Sequence, residues 1–117
     1  MTATHHDRLT PDEARRALYI DFEGGKGKSP VLLGCLRRKH HSKTWQYIAD
    51  PTFASLAERD GLETLTISTV VERIVQRAAK GDRRIVAWSN RELDVVREYC
   101  PEHLADFQAR YVNARSL

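Results

Sequence analysis

Residues 17–23 read Ala17-Leu18-Tyr19-Ile20-Asp21-Phe22-Glu23, and their alternation decides the fold class. Successive side chains of a strand point to opposite sides. Leu18, Ile20 and Phe22 therefore share an apolar face, while Tyr19, Asp21 and Glu23 share the other. The stretch that follows, Gly24-Gly25-Lys26-Gly27-Lys28-Ser29-Pro30, has the composition of a turn. Val31 to Leu36 is a nearly continuous apolar run, which predicts a buried strand. Thr44-Trp45-Gln46-Tyr47-Ile48, rich in aromatic and β-branched residues, predicts a third strand that Asp50-Pro51 stops.

Upstream, Thr10-Pro11-Asp12-Glu13 is a helix start, with Thr as N-cap, Pro at the first helical position and Glu at the third. Residues 1–16 are thus an N-terminal extension with a short helix or turn, and the domain occupies 17–117. Residues 51–65 carry a weaker pattern: a short helix around Phe53 to Ala57 and a turn at Asp60-Gly61. Ile67, Val70, Val71, Ile74, Val75 and Ala78 follow the spacing of an amphipathic helix, and Lys80 with Gly81 ends it. Arg84 to Trp88 reads as a short buried strand. Ser89-Asn90-Arg91-Glu92 opens a helix to about Tyr99, and after Pro101 a last helix runs from about Glu102 to Tyr111. The order β-β-β-α-β-α-α is mixed α/β, and a right-handed crossover places the fourth strand parallel to the first.

At 117 residues the chain is one domain in size. With 41% hydrophobic and 30% charged residues it falls outside the disordered and collagen-like classes. No apolar run approaches the roughly 20 residues of a membrane helix, and the first residues lack the apolar core of a secretory signal. Cys35 and Cys100 make neither a disulfide framework nor a zinc spacing. A cytoplasmic protein is the expectation. The net charge of +3 gathers at Lys26–Lys28, in Arg37-Arg38-Lys39-His40-His41-Ser42-Lys43 and at Arg83-Arg84. Such clusters suit a phosphate backbone as well as solvated loop tips.

Asp21 and Glu23 carry most of the chemistry. Carboxylates at i and i+2 of a strand lie roughly 6.6 Å apart along its axis. That spacing can hold two divalent ions, which sit about 3.5–4 Å apart in two-metal sites. D-x-E also occurs on solvent-facing strands; its placement at the C-terminal end of a central strand favours a ligand role. Gly27-Lys28-Ser29 matches the end of a P-loop, but Phe22 and Pro30 break that pattern. His40-His41 fit a basic turn better than a metal site with Cys35. Trp45 and Tyr47, set among basic residues, fit either base stacking or the space between sheet and helix.

Tyr19-Ile20-Asp21-Phe22-Glu23-Gly24, followed by a second strand containing Leu33-Gly34, resembles the first motif of the DEDD 3'-5' exonucleases of the ribonuclease H-like superfamily. It is most similar to the predicted nuclease domains found beside RecB-type nucleases. Ile85 to Glu92 resembles the second acidic motif in the variant with an aromatic residue, three residues and a glutamate. The resemblance covers most of residues 17–112 and implies metal-dependent phosphodiester hydrolysis of DNA or RNA. Asp21 and Glu23 would coordinate Mg²⁺ or Mn²⁺, and Glu92 would complete the cluster. Lys26, Lys28, Arg37, Arg38 and Lys39 would meet the nucleic acid. Glu92 has a competing role, because S-x-x-E also lets it cap the Ser89 backbone N–H; Asp94 is the alternative ligand. The family's last acidic motif follows a fifth strand, and Asn113 stands where many relatives carry aspartate. The expectation is a sheet lacking its C-terminal strand and helix: a truncated piece, a degenerate nucleic-acid-binding or protein-interaction module, or a domain completed by a partner chain or second copy at the sheet edge.

Overall fold

In a computed structural model of the chain, which describes residues 8–24, 30–37 and 43–116, the alternating stretch becomes an interior strand of a mixed sheet. Helix α1 (Pro11–Arg16) precedes it, closed by reciprocal bonds: the Glu13 N–H donates to Thr10 Oγ1 at 3.1 Å, and the Thr10 N–H to Glu13 Oε1 at 3.0 Å. Strands β1 (Leu18–Glu23), β2 (Leu32–Arg37) and β3 (Lys43–Ile48) then pair antiparallel. After a 3₁₀ turn at Pro51–Phe53 come α2 (Ala54–Arg59), β4 (Glu63–Thr64) and α3 (Ile67–Gly81). Strand β5 (Ile85–Ala87) is followed by α4 (Arg91–Tyr99), α5 (Leu104–Arg110) and β6 (Tyr111–Asn113). The strand order is β4-β3-β2-β1-β5-β6, with β5 parallel to β1 and β6 parallel to β5.

Helices α3, α4 and α5 stack on one side of the sheet. Val70, Val71, Ile74 and Ala78 of α3 pack on Leu18, Ile20, Phe22, Leu33 and Cys35, and Val96 and Phe107 extend that core. The other side carries only a small cluster of Ala17, Val86 and Val112 with Leu9, Tyr19 and Ala114. This corrects one expectation. The apolar run of β2 is buried only at Leu33 and Cys35, because Leu32, Gly34 and Leu36 lie on the uncovered face. Alternation, not a continuous run, describes its environment.

The C-terminal strand expected to be missing is present. The last helix ends at Arg110, and Tyr111, Val112 and Asn113 pair with Ile85, Val86 and Ala87. Tyr and Val suit a pleated, buried surface, and β5 would otherwise leave a row of unpaired backbone groups at the edge. Strand β4, only two residues long, is too short to show an alternating pattern. At the end of α3 the left-handed residue is Asp82 (φ 48°), one beyond Gly81. Gly81 is needed for a different reason: a Cβ there would collide with the side chain of Arg83, a buried residue. Among the described residues no helix is long and apolar enough to cross a membrane.

Ile74 is fully buried between α3 and the sheet, so Ile74→Ala is expected to lower the unfolding free energy by about 2–5 kcal/mol. Thr10→Ala, which removes the α1 cap, should cost about 1 kcal/mol. Urea titration followed by circular dichroism measures both.

Candidate functional site

Strand β1 outruns its neighbour β5, and that mismatch builds the site. Alternate N–H groups of a strand point the same way. On the β5 side, the Leu18 N–H donates to the Arg84 carbonyl at 2.8 Å. Two steps past Ile20, the Phe22 N–H has no strand opposite it, since β5 stops at Ala87. The Glu92 carboxylate fills the place: the Phe22 N–H donates to its Oε2 at 3.2 Å. Glu92 is only 4% exposed.

This geometry overturns the capping role. Asn90, not Ser89, is the N-cap residue of α4, and its side chain makes no capping bond. Ser89 Oγ accepts from the Arg91 N–H at 3.1 Å and donates to Glu92 Oε1 at 3.4 Å. The Ser89 carbonyl in turn accepts from the Tyr111 hydroxyl. Strand β6 thus braces the turn that aims Glu92 at β1. Burial, then the Glu92 charge, pushes the Tyr111 phenol well above its ordinary range. Asp94, the alternative ligand, lies outside this arrangement, paired with Arg97 at 2.7 Å on the exposed side of α4.

Asp21 and Glu23 project from the uncovered face, both exposed. Asp21 pairs across the ladder with Gly34, which in turn pairs with Gln46. A Cβ on Gly34 would meet only the Asp21 carbonyl, at 3.5 Å, so the space above the acid is open. Around it runs a groove of about 790 Å³ between Leu32, Leu36, Tyr19, Val86 and Trp88, with all three acids in its wall. Like charges crowd here. A hydrogen bond with Asp21 and the Asp21 charge hold the Glu23 carboxyl above its ordinary value; partial burial and the Glu92 charge add to this, and Arg91 opposes it. Arg91 Nη2 also donates to the Gly24 carbonyl at 3.3 Å, at the exit of β1.

Oxygen donors of this kind suit hard divalent cations. Among the described residues no group of three or more His, Cys, Asp or Glu side chains forms a ready metal cage. The donor set nevertheless fits Mg²⁺ or Mn²⁺. Mg²⁺ keeps several waters and is usually held by one or two carboxylates together with substrate phosphates. Asp21 and Glu23 supply that pair, and the crowding that raises Glu23 is what a cation relieves.

Of the expected nucleic-acid residues only Arg37 is among the described residues, and it does not lie here. Arg37 lies on the helix-covered face, its guanidinium 5.6 Å from the Trp45 ring centre, with the sheet between it and the acids. Lys26, Lys28, Arg38 and Lys39 lie outside the described residues, as does His40-His41. Trp45 and Tyr47 lie between sheet and α3. Two neighbours of the acids escaped the sequence reading, Arg91 and Tyr111, and Trp88 entered it only as the aromatic residue of the second motif. Trp88, read as the end of a buried strand, is 75% exposed on the groove rim, because β5 stops one residue before it. The buried Tyr111 was hidden inside an expected helix. Comparison of the chain with protein-family models, with curated proteins and with solved structures finds no match.

Removing the Glu92 acceptor strands a buried N–H. Glu92→Ala is expected to cost about 1–3 kcal/mol, and Glu92→Gln, which keeps an acceptor oxygen, clearly less, by urea titration. Asp21→Asn removes the carboxyl whose hydrogen bond and charge chiefly raise Glu23. The Glu23 carboxyl should then titrate at lower pH, read from its side-chain ¹³C shift. A raised carboxyl in the folded state contributes stability at low pH that is lost as pH rises through its folded pKa. That loss should therefore be smaller in Asp21→Asn.

Proposed function

We propose that this chain is a ribonuclease H-like, divalent-metal-dependent nuclease that hydrolyses phosphodiester bonds of DNA or RNA in the manner of the DEDD exonucleases. One observation carries the reading: Glu92, from α4, reaches β1 between Asp21 and Glu23 and joins them in one open groove. The topology is consistent with it. Three antiparallel strands, an α crossover and a strand parallel to the first are the order on which the resemblance rests. Strand β6 pairs parallel with β5, and this reading takes it as that fold's fifth strand.

In this reading Asp21 and Glu23 bind Mg²⁺ or Mn²⁺, and Glu92 adds negative charge behind them while its bond to Phe22 fixes the strand end. The bound ion would supply activation of a water and stabilisation of the leaving oxygen. Arg91 offers a cation to a phosphate at the exit of β1, and the exposed Trp88 indole offers a surface on which an unpaired base can stack. Cys35 and Cys100, both buried as free thiols, suit the reducing cytoplasm.

A second reading is a nucleic-acid-binding module of the same fold without cleavage. Asn113 favours it, since it places an amide in β6 where the resemblance leads one to look for an acid. Calorimetry with Mn²⁺ on the parent protein and on Asp21→Asn separates the outcomes. The nuclease reading expects binding that the substitution weakens at least tenfold. It also expects Mn²⁺-dependent cleavage of a single-stranded oligonucleotide that Asp21→Asn lowers by about two orders of magnitude, the scale on which losing an essential charge-stabilising group is felt. Binding without cleavage would favour the second reading. No binding at millimolar Mn²⁺ would defeat the first.

A further inference from the structure

The helix-covered side of the sheet has a charge imbalance that the acidic groove does not explain. Trp45 is half-buried between β3 and α3 and is ringed by cations. The Arg77 guanidinium carbon lies 4.1 Å from its ring centre, Lys43 Nζ 5.3 Å and the Arg37 guanidinium carbon 5.6 Å. The Arg73 guanidinium stands 5.8 Å from the neighbouring Tyr47 ring, and Arg77 Nη2 donates to the Tyr47 hydroxyl at 2.9 Å. A shallow cleft of about 340 Å³ opens beside them, lined by Arg73, Gln76, Arg77 and Lys80.

Acids do not balance this group. Of Arg37, Lys43, Arg73, Arg77 and Lys80, Arg73 alone has a carboxylate within ion-pair distance among the described residues, Glu63 at 3.4 Å. The segment joining β2 to β3, Arg38 to Ser42, contains no acid. Ring faces attract these cations, but rings accept no N–H···O bond. Arg37 Nε and Arg77 Nη1 are buried with no hydrogen-bond partner among the described residues. Donors left in this state favour an oxygen-rich anion, and a guanidinium fork matches phosphate geometry in particular. Burial, then the charges of Arg37 and Arg16, holds the Arg83 guanidinium below its ordinary value.

We propose that the cation cluster around Trp45, with the cleft beside it on α3, is a phosphate-binding site that takes the backbone of a single-stranded nucleic acid, with Arg77 and Arg37 as its inner donors and Lys43 and Lys80 at its rim. The choice of a nucleic acid over a free phosphate rests on the nuclease reading and gives that substrate a second contact, across the sheet from the acids. Several cations spread over two strands and a helix suit a chain of phosphates better than one.

Trp45 and Trp88 are the tryptophans of this chain, so in Trp88→Phe the indole fluorescence reports on the cleft alone. That protein would be titrated in EDTA with inorganic phosphate and with a six-residue oligothymidylate. The expected result is a change in Trp45 emission with both, the oligonucleotide acting at least tenfold lower in concentration. Its logarithmic salt dependence should lose about one unit of slope in Lys80→Gln or Lys43→Gln. Arg77→Gln should weaken binding at least tenfold; the two lysines are exposed, so their variants keep the test valid if Arg77→Gln fails to fold. No response to either probe would overturn the site. A response to phosphate with no gain for the oligonucleotide would overturn the nucleic-acid assignment. Because EDTA removes divalent ions, failure of the metal site leaves this result unaffected.

Discussion

The hydrogen bond from the Phe22 amide to the Glu92 carboxylate is the constraint on which the site depends. It exists because β1 is longer than β5, so the parallel ladder leaves a buried N–H without a carbonyl. An unmet buried donor is costly. A side chain from the first turn of α4 meets it, which locks the angle at which the chain leaves β5. The Ser89 turn and the Tyr111 hydroxyl support that side chain in turn. A structural need thereby brings a third carboxylate to a strand already carrying two.

The same sheet keeps opposite charges on opposite sides. Alternation along β1 sends Asp21 and Glu23 to the open face, while alternation along β2 and β3 sends Arg37, Lys43 and Trp45 to the helix-covered one. A shift of one residue in either register would exchange the two sets. Separation prevents the acids and the arginines from neutralising each other. Each face is left with a surplus: negative charge held in a groove, positive charge held around two aromatic rings.

Much of this was legible beforehand. The period of two in β1 placed Asp21 and Glu23 on a face away from Leu18, Ile20 and Phe22, and the helical period of residues 67–78 located α3. Thr10 and Glu13 announced α1. What escaped the sequence depended on neighbours rather than on local pattern. The direction of Glu92 turned on where β5 stops, which is a property of the pair of strands. The local rule for S-x-x-E gave a cap instead. Tyr111 and Val112 continued a helical pattern until the open edge of β5 recruited them. Arg37 looked like a surface contact because its basic neighbours read as a turn, yet its own position in β2 points it under α3. The apolar run of β2 suggested cover on both faces, and only the placement of α3, α4 and α5 on one side revealed the groove.

The central claim is that Asp21 and Glu23, with Glu92 behind them, form a cation site on the open face. The most direct measurement is paramagnetic broadening of backbone amide resonances by substoichiometric Mn²⁺ in the ¹⁵N-labelled protein. The account predicts loss of intensity centred on Asp21, Phe22 and Glu23, reaching Gly34 across the ladder and Glu92 on α4, while α3 and β3 stay sharp. Broadening centred elsewhere, or none at concentrations that saturate ordinary Mn²⁺ sites, would contradict it.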